Sequence, residues 1–464
     1  RFLANEISPG FELIEMLKHG VAVHHAGLSD ETRALIEWLA EENKLRVLCA
    51  TTTIAQGINF PVSSVFLSSR FLFSQKGAKE MKHRDFWNLA GRAGRLQHGS
   101  VGVVGLAAGN DPKDIMDYVN QTTGELVSQL VKMLDKLEKT GELNNLTQVI
   151  KREQWVDFRC YVAHLWNEKQ NLDAVLAETE QLLRNTYGYG TLRSTPEGEA
   201  KARALLEATK SYARDMAEHV ENAKLADATG FAPEGVRTAL LGLNQLENKL
   251  SVSDWMPESL FGTGTGGKLS DLFGIMLRLP QLKDQLSAIS GDGFEHKQIA
   301  DMTIAWISGQ TIQDIAKQFF DGNSTKAITD ACKSIYRNLV NNGAWGLSAL
   351  SKMSGIDFES LDEENLRRIN ILPAMLYHGV STEDAVLMRM NAVPRSIAEK
   401  IGSRFRADTE GQAKYRTVGG ARDFLKNLHD RDWDQVKPTS SHLSGKEYKE
   451  IWKLLSGEGN WGER

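Results

Sequence analysis

Short apolar runs separated by glycine-rich and polar loops occupy the first part of the chain, and a helical period replaces them beyond about residue 110. Val21 to Val23, Val47 to Ala50 and Ser100 to Ala107 are of strand length. The Val47 to Ala50 run, apolar throughout, suits a parallel strand buried on both faces. Between the first two runs, Leu35, Ile36 and Leu39 repeat at helical spacing behind Ser29 and Asp30, either of which suits an N-cap. Strand alternates with helix, which predicts an α/β domain with a parallel sheet over residues 1–110.

Beyond Ala108, Leu126, Leu130, Met133, Leu134 and Leu137 form one apolar stripe, and Trp155, Phe158, Val162, Leu165 and Trp166 form another. Tyr187 to Gly198 reads as a turn or wing that feeds a helix with Thr195 as its N-cap and Pro196 at its first position. Glu383 to Gly402 reads as two helices around a tight Asn391-Ala-Val-Pro394 turn, and the tail as a short helix between loops, with Trp433, Trp452 and Trp461 free to pack, to bind a partner or to stack on bases.

The segment His83-Arg-Asp-Phe-Trp-Asn-Leu-Ala-Gly-Arg-Ala-Gly-Arg95 carries the clearest chemistry. As a helix it sets Asn88, Arg92 and Arg95 on one face while Phe86, Leu89, Ala90 and Ala93 turn to a core. Gly91 and Gly94 each cost about 1 kcal/mol relative to Ala in a helix, and lacking a Cβ they admit a ligand or another backbone. A guanidinium fork matches phosphate oxygens in two-point contact. Upstream, Arg46-Val-Leu-Cys-Ala-Thr-Thr-Thr-Ile-Ala-Gln-Gly-Ile-Asn-Phe-Pro61 places three threonines where open α/β sheets bind ligands, at a strand's C-terminal end, followed by a loop through Gly57 and Asn59. Gly20-Val-Ala-Val-His-His-Ala-Gly-Leu28 reads as strand then loop. Neighbouring strand residues face opposite ways, and no other His or Cys is suitably spaced, so His24 and His25 do not read as a metal site.

In this order and spacing the three segments resemble the second RecA-like domain of superfamily 2 helicases, in the Ski-like and repair-helicase branch with a His-His-Ala-Gly-Leu signature. The resemblance implies that Thr51 to Pro61 is motif V, with His25, Thr51 and Thr52 on the nucleic-acid strand and Gly57 and Asn59 towards the nucleotide. It implies that Asn88 to Arg95 is motif VI, with Arg92 and Arg95 as catalytic arginine fingers on the γ-phosphate of ATP. It also implies a nucleotide contact for Asn88, which stands where the family usually has glutamine. The family continues into a winged-helix domain and a helical bundle resting on the translocating strand. The expected architecture is therefore an α/β RecA-like parallel-sheet domain at 1–110, a winged-helix-like domain at 111–195, a helical segment at 196–255, a bundle at 256–434 and a tail at 435–464; by composition alone, a plain bundle without a wing is the other reading of 111–195. The Asn391 to Pro394 turn resembles a degenerate helix-hairpin-helix, with Arg389, Arg395 and Lys400 as candidate phosphate contacts. Ala392 and Pro394 stand where that module has glycines.

Phosphoryl transfer also needs a phosphate-cradling loop and an acidic Mg²⁺ ligand. Gly262-Thr-Gly-Thr-Gly-Gly-Lys268 lacks the hydroxyl that should follow its lysine, and a polar stretch precedes it, so it reads as a flexible glycine linker. The chain opens at Arg1 without an initiator methionine, and its simplest reading is the C-terminal half of a larger ATP- and Mg²⁺-dependent enzyme, with the metal ligands in the remainder. A nucleic-acid-binding scaffold that does not turn over ATP is the other class the residues admit.

The net charge of −5 is unevenly spread: residues 1–110 hold 12 basic and 10 acidic side chains, and 365–431 hold 12 and 7. Local basic surface of this kind is what phosphate contact requires. Cys49, Cys160 and Cys332 lack metal-ligand spacing and suit a reducing cytoplasm. No apolar run approaches the ~18 residues of a membrane span. The resemblance implies single-stranded or partly duplex nucleic acid as partner, DNA favoured, and 3′ to 5′ translocation. The motif V segment with a long helical C-terminal region also resembles bacterial phage-defence helicases, including the Hachiman type, in which the helicase controls a partner nuclease.

Overall fold

The structure is a computed structural model that describes residues 1–51, 62–74, 77–81, 83–91, 93, 102–107, 113–120, 146, 150–152, 155–262, 266–289, 295–322, 324–357, 360–409 and 416–458. The chain forms two compact units that interleave in sequence. One comprises Arg1–Leu126, Gly309–Arg337 and Thr382–Arg464; the other comprises Val127–Ser308 and Asn338–Ser381.

In the first unit, β1 (Val21–His24) pairs in parallel with β2 (Val47–Ala50), Val21 opposite Val47 and His24 opposite Ala50. Parallel neighbours need a crossover, and the Asp30–Glu41 helix supplies it. Ser29 caps that helix, its hydroxyl accepting from the Thr32 N–H at 3.1 Å, and Ile36 is buried beneath it. Ala22 and His24 point inward and Val21 and Val23 are half-exposed, the two-residue alternation of a strand with one covered face. The expectation of a fully buried Val47–Ala50 strand is corrected: Val47 is 51% exposed, because among the described strands β2 pairs with β1 alone.

A second parallel pair joins β3 (Ser64–Leu67) to β6 (Val103–Leu106), within the run read as a strand, and an antiparallel hairpin joins β4 (Phe71–Ser74) to β5 (Gly77–Glu80). The His83–Ala90 helix packs Phe86 into a small core with Leu67, Met81 and Tyr118, and Leu89 and Ala90 lie against it. The Tyr118 ring stacks on Phe86 at 5.0 Å and its hydroxyl donates to the Met81 carbonyl at 2.7 Å. Among the described residues the strands form three two-stranded sheets rather than one continuous sheet. The described residues are mostly helical, with two small parallel sheets and one antiparallel hairpin.

The C-terminal part of this unit is an all-helical layer built on the pair Glu383–Met390 and Arg395–Asp408. The tail packs on it: Trp433 and Trp452 are fully buried with ring centroids 5.7 Å apart, and the Trp452 indole donates to the Asn391 carbonyl at 2.9 Å. Trp461 lies outside the described residues.

The second unit is helical throughout its described part. Trp155, Val162, Leu165 and Trp166 are buried as their spacing predicts, and the Trp166 indole donates to the Ala213 carbonyl at 3.0 Å. The Leu126 to Leu137 stripe lies outside the described residues. The segment read as a turn or wing is instead a helix, Tyr187–Leu192, because Thr186 caps it through the Tyr189 N–H; Thr195 and Pro196 then open the Pro196–Ala217 helix as expected. The end of the glycine-rich string is likewise no linker: Gly266–Met276 is a helix with Leu269 buried, and Lys268 is ion-paired with Asp254. No helix among the described residues is long and apolar enough to cross a membrane.

One contact tests how closely the C-terminal helix pair is packed. A Cβ on Gly402 would stand 2.8 Å from the Ala385 nitrogen and 2.9 Å from the Asp384 carbonyl carbon, both backbone atoms. Gly402→Ala is expected to destabilise the protein by about 1–3 kcal/mol, the range of overpacking changes, as read from chemical unfolding. Unchanged stability would contradict this packing.

Candidate nucleic-acid interface

The parallel register of β1 and β2 brings His25 and Thr51 to the same edge, each one residue past its strand. The Thr51 N–H donates to the His24 carbonyl at 3.3 Å, extending the ladder, and Thr51 is exposed. The two histidines diverge as strand alternation requires. His24 is buried with Nε2 2.8 Å from a Glu37 carboxylate oxygen, which ties β1 to its crossover helix. His25 is half-buried, and its Nδ1 accepts the Gly27 N–H at 3.0 Å. Burial first, then the neighbouring His24 and Arg337, lowers the His25 pKa, so the ring is neutral at pH 7. A Cβ on Gly27 would meet that ring at 3.1 Å, so the glycine of the His-His-Ala-Gly run seats the imidazole.

Two cations that the sequence reading missed stand beside this edge. The stretch Lys333–Leu339 is π-helical and presents Lys333 and Arg337 to solvent. The Lys333 Cα lies 3.5 Å from where a Gly27 Cβ would be, and Arg337 is near enough to act on His25. The only local signal is their spacing of four within a run, Ala331 to Leu339, that is otherwise largely apolar. Thr51, His25, Lys333 and Arg337 together form a small edge with a hydroxyl, a neutral imidazole and two exposed positive charges, groups that suit a phosphodiester backbone.

The arginine motif differs from its helical reading. The helix stops at Ala90, Gly91 is in a turn, and Ala93 forms a parallel bridge with Val62. The helical period is therefore not carried through Gly91 and Ala93, and Asn88, in the last described turn of the helix, is exposed. Thr52, Gly57, Asn59, Arg92 and Arg95 lie outside the described residues.

The helical hairpin forms as expected, but two of its three candidate cations turn inward. Arg389 is ion-paired with Glu31 and its Nη1 donates to the Val393 carbonyl at 2.8 Å, with its side chain 11% exposed. Burial alone would depress its pKa, but Glu31 more than offsets this. Arg395 donates to the Gln310 carbonyl at 2.9 Å, and burial, helped by Arg389, brings its pKa down to about 10. Lys400 is exposed, with Nζ 3.5 Å from the Lys437 carbonyl. The turn amides are occupied as well: Ala392 N–H donates to the Arg389 carbonyl at 2.9 Å and Val393 N–H to that of Met388 at 3.1 Å.

No family model matches the chain. Individual proteins do. The ATP-dependent DNA helicase Hel308 of Thermoplasma volcanium is 36% identical over 112 residues, 24% of this chain and 16% of that protein. The antiviral helicase SKI2 of Saccharomyces cerevisiae is 38% identical over 109 residues, 24% of this chain and 8% of that protein. The U5 small nuclear ribonucleoprotein 200 kDa helicase of Homo sapiens is 28% identical over 145 residues, 30% of this chain and 7% of that protein. The chain therefore matches 16% or less of the length of these relatives, which belong to the Ski-like superfamily 2 helicases.

The hairpin turn itself carries a measurable strain. Ala392 has φ +62°, in the left-handed region, where the related module has glycine. Ala392→Gly is expected to raise stability by about 0.5–1 kcal/mol, the left-handed penalty of ~1–2 kcal/mol less the greater freedom glycine gives the unfolded chain. A lower unfolding midpoint would contradict this.

Proposed function

Because its relatives are Ski-like superfamily 2 helicases, we propose that this chain supplies the second RecA-like domain and the following helical region of an ATP-dependent nucleic-acid helicase. The observation that carries the reading is the β1–β2 edge, where His25 and Thr51 stand together beside the exposed Lys333 and Arg337. Groups of these kinds hold a strand through its backbone, which suits a motor that must step along any sequence.

In this mechanism a first RecA-like domain would hold the Mg²⁺, which would neutralise charge on the phosphates of ATP. Arg92 and Arg95 stabilise the charge that develops on the transferred phosphoryl group, and Gly57, Asn59 and Asn88 contribute to the nucleotide site. Cleft closure then moves the strand held by His25, Thr51 and Thr52, with 3′ to 5′ polarity. DNA is the favoured substrate, and an effector such as a nuclease in antiphage defence is the favoured partner. Lys400 supplies an outlying phosphate contact.

In the full-length enzyme, Arg95→Ala is expected to lower ATP hydrolysis by about 10³ to 10⁵ with strand binding retained, as for arginine fingers elsewhere. Hydrolysis within about tenfold of wild type would contradict the assignment; the tenfold margin lies far below that range. Lys333→Ala and Arg337→Ala are each expected to weaken binding about equally for all sequences and to reduce the salt slope by about 1. An unchanged slope would remove these residues from the interface.

A further inference from the structure

The two histidines at the end of β1 are adjacent in sequence and opposite in what they leave open. His24 Nε2 lies 2.8 Å from a Glu37 carboxylate oxygen, which can only accept when ionised, so this ring donates inward and is used up by the fold. His25 accepts instead. Its Nδ1 takes the Gly27 N–H at 3.0 Å, and a ring nitrogen that accepts a hydrogen bond carries no proton. The neutral His25 ring therefore holds its proton on Nε2. That nitrogen is neither hydrogen-bonded nor sealed from solvent among the described residues.

Gly27 sets this geometry in two ways. Its N–H selects the tautomer, and its missing Cβ leaves the ring its place. A Cβ there would stand 3.1 Å from both Nδ1 and Cε1 of His25, and 3.5 Å from the Lys333 Cα, wedged between the imidazole and the Lys333–Leu339 backbone. The surrounding charges act in the same direction. Burial first, then His24 and Arg337, lowers the His25 pKa. A second proton would have to sit on Nδ1 against the Gly27 N–H, and would add a positive charge beside the exposed Lys333 and Arg337. The ring is thus held as an uncharged donor among cations.

We propose that His25 donates its Nε2–H to a phosphate oxygen of the bound strand as a neutral, directional contact, and that Gly27 is the positioning residue that fixes the tautomer and seat of the ring. This rests on the nucleic-acid reading of the β1–β2 edge and divides the work within it. Lys333 and Arg337 supply the salt-dependent attraction, whereas a neutral donor displaces no counterion and leaves the salt slope unaltered.

The test uses the full-length protein and a fluorescein-labelled oligothymidylate, with affinity read by anisotropy across a salt series and the imidazole nitrogens read by ¹⁵N NMR. The His25 spectrum should show Nδ1 unprotonated and Nε2 protonated. His25→Asn keeps an acceptor for the N–H two residues on, as Asn side chains do in turns, but ends short of the Nε2 position. Its affinity should fall by about ten- to a hundredfold, the range for a hydrogen bond to a charged group, and by the same factor at every salt concentration. His25→Gln, whose amide reaches the Nε2 position, should recover most of that loss. Gly27→Ala should weaken binding and shift the His25 nitrogen signals with the salt slope retained; if it fails to fold, the Asn and Gln variants carry the test.

A proton found on Nδ1, or a salt slope reduced by about 1 in His25→Asn, would overturn the neutral donor. So would a wild-type advantage over His25→Asn that grows as pH falls from about 8 to about 6, the mark of a ring that binds as a cation. Equal binding by wild type and His25→Asn, with Lys333 and Arg337 still required, would overturn the His25 contact alone. Absence of binding by the wild type at every salt concentration would overturn it together with the nucleic-acid reading beneath it.

Discussion

The arrangement of the candidate site depends on the register between β1 and β2. Parallel pairing with His24 opposite Ala50 sends the chain off both strands at the same edge, so His25 and Thr51 arrive side by side from positions far apart in sequence. Because side chains alternate along a strand, a slip of one residue would exchange the buried and outward faces. His24 helps to prevent that slip: its imidazole is buried against Glu37 of the crossover helix, so the residue just before the candidate His25 ties the strand to that helix.

The first unit thus uses charge in two ways. At the β1–β2 edge Lys333 and Arg337 are exposed, where salt screens charge over about 8–10 Å. Around the hairpin Arg389 and Arg395 are committed inside, where screening is weaker and each partner must be matched. The same residue type is therefore open to solvent in one place and a fastening in the other, according to burial.

Local signals carried the sequence reading as far as local structure goes. Ser29 and Thr195 cap helices where their spacing placed them, Phe86 enters a core, and the Asn391 to Pro394 turn joins two helices. Three features were not legible for physical reasons. An apolar run such as Val47–Ala50 does not say how many neighbours its strand will have, and here the described sheet leaves Val47 exposed. The glycines of the arginine motif were read as room within a helix, whereas the helix ends before the first of them. The basic excess over residues 365–431 looked like surface, but Arg389 and Arg395 meet partners from Glu31 and Gln310, and pairing across such separations leaves no mark on local composition. The candidate edge was half legible: the His-His-Ala-Gly run and Thr51 announced themselves, while Lys333 and Arg337 belong to a helical segment that only tertiary structure brings beside them.

The most direct measurement is ATP hydrolysis by the full-length protein, with and without single-stranded DNA or RNA, at two salt concentrations. A backbone-gripping motor predicts strong stimulation by nucleic acid that falls as salt rises, because each phosphate contact releases counterions. Nucleic-acid binding without hydrolysis under any of these conditions would contradict the motor and leave a binding scaffold in its place.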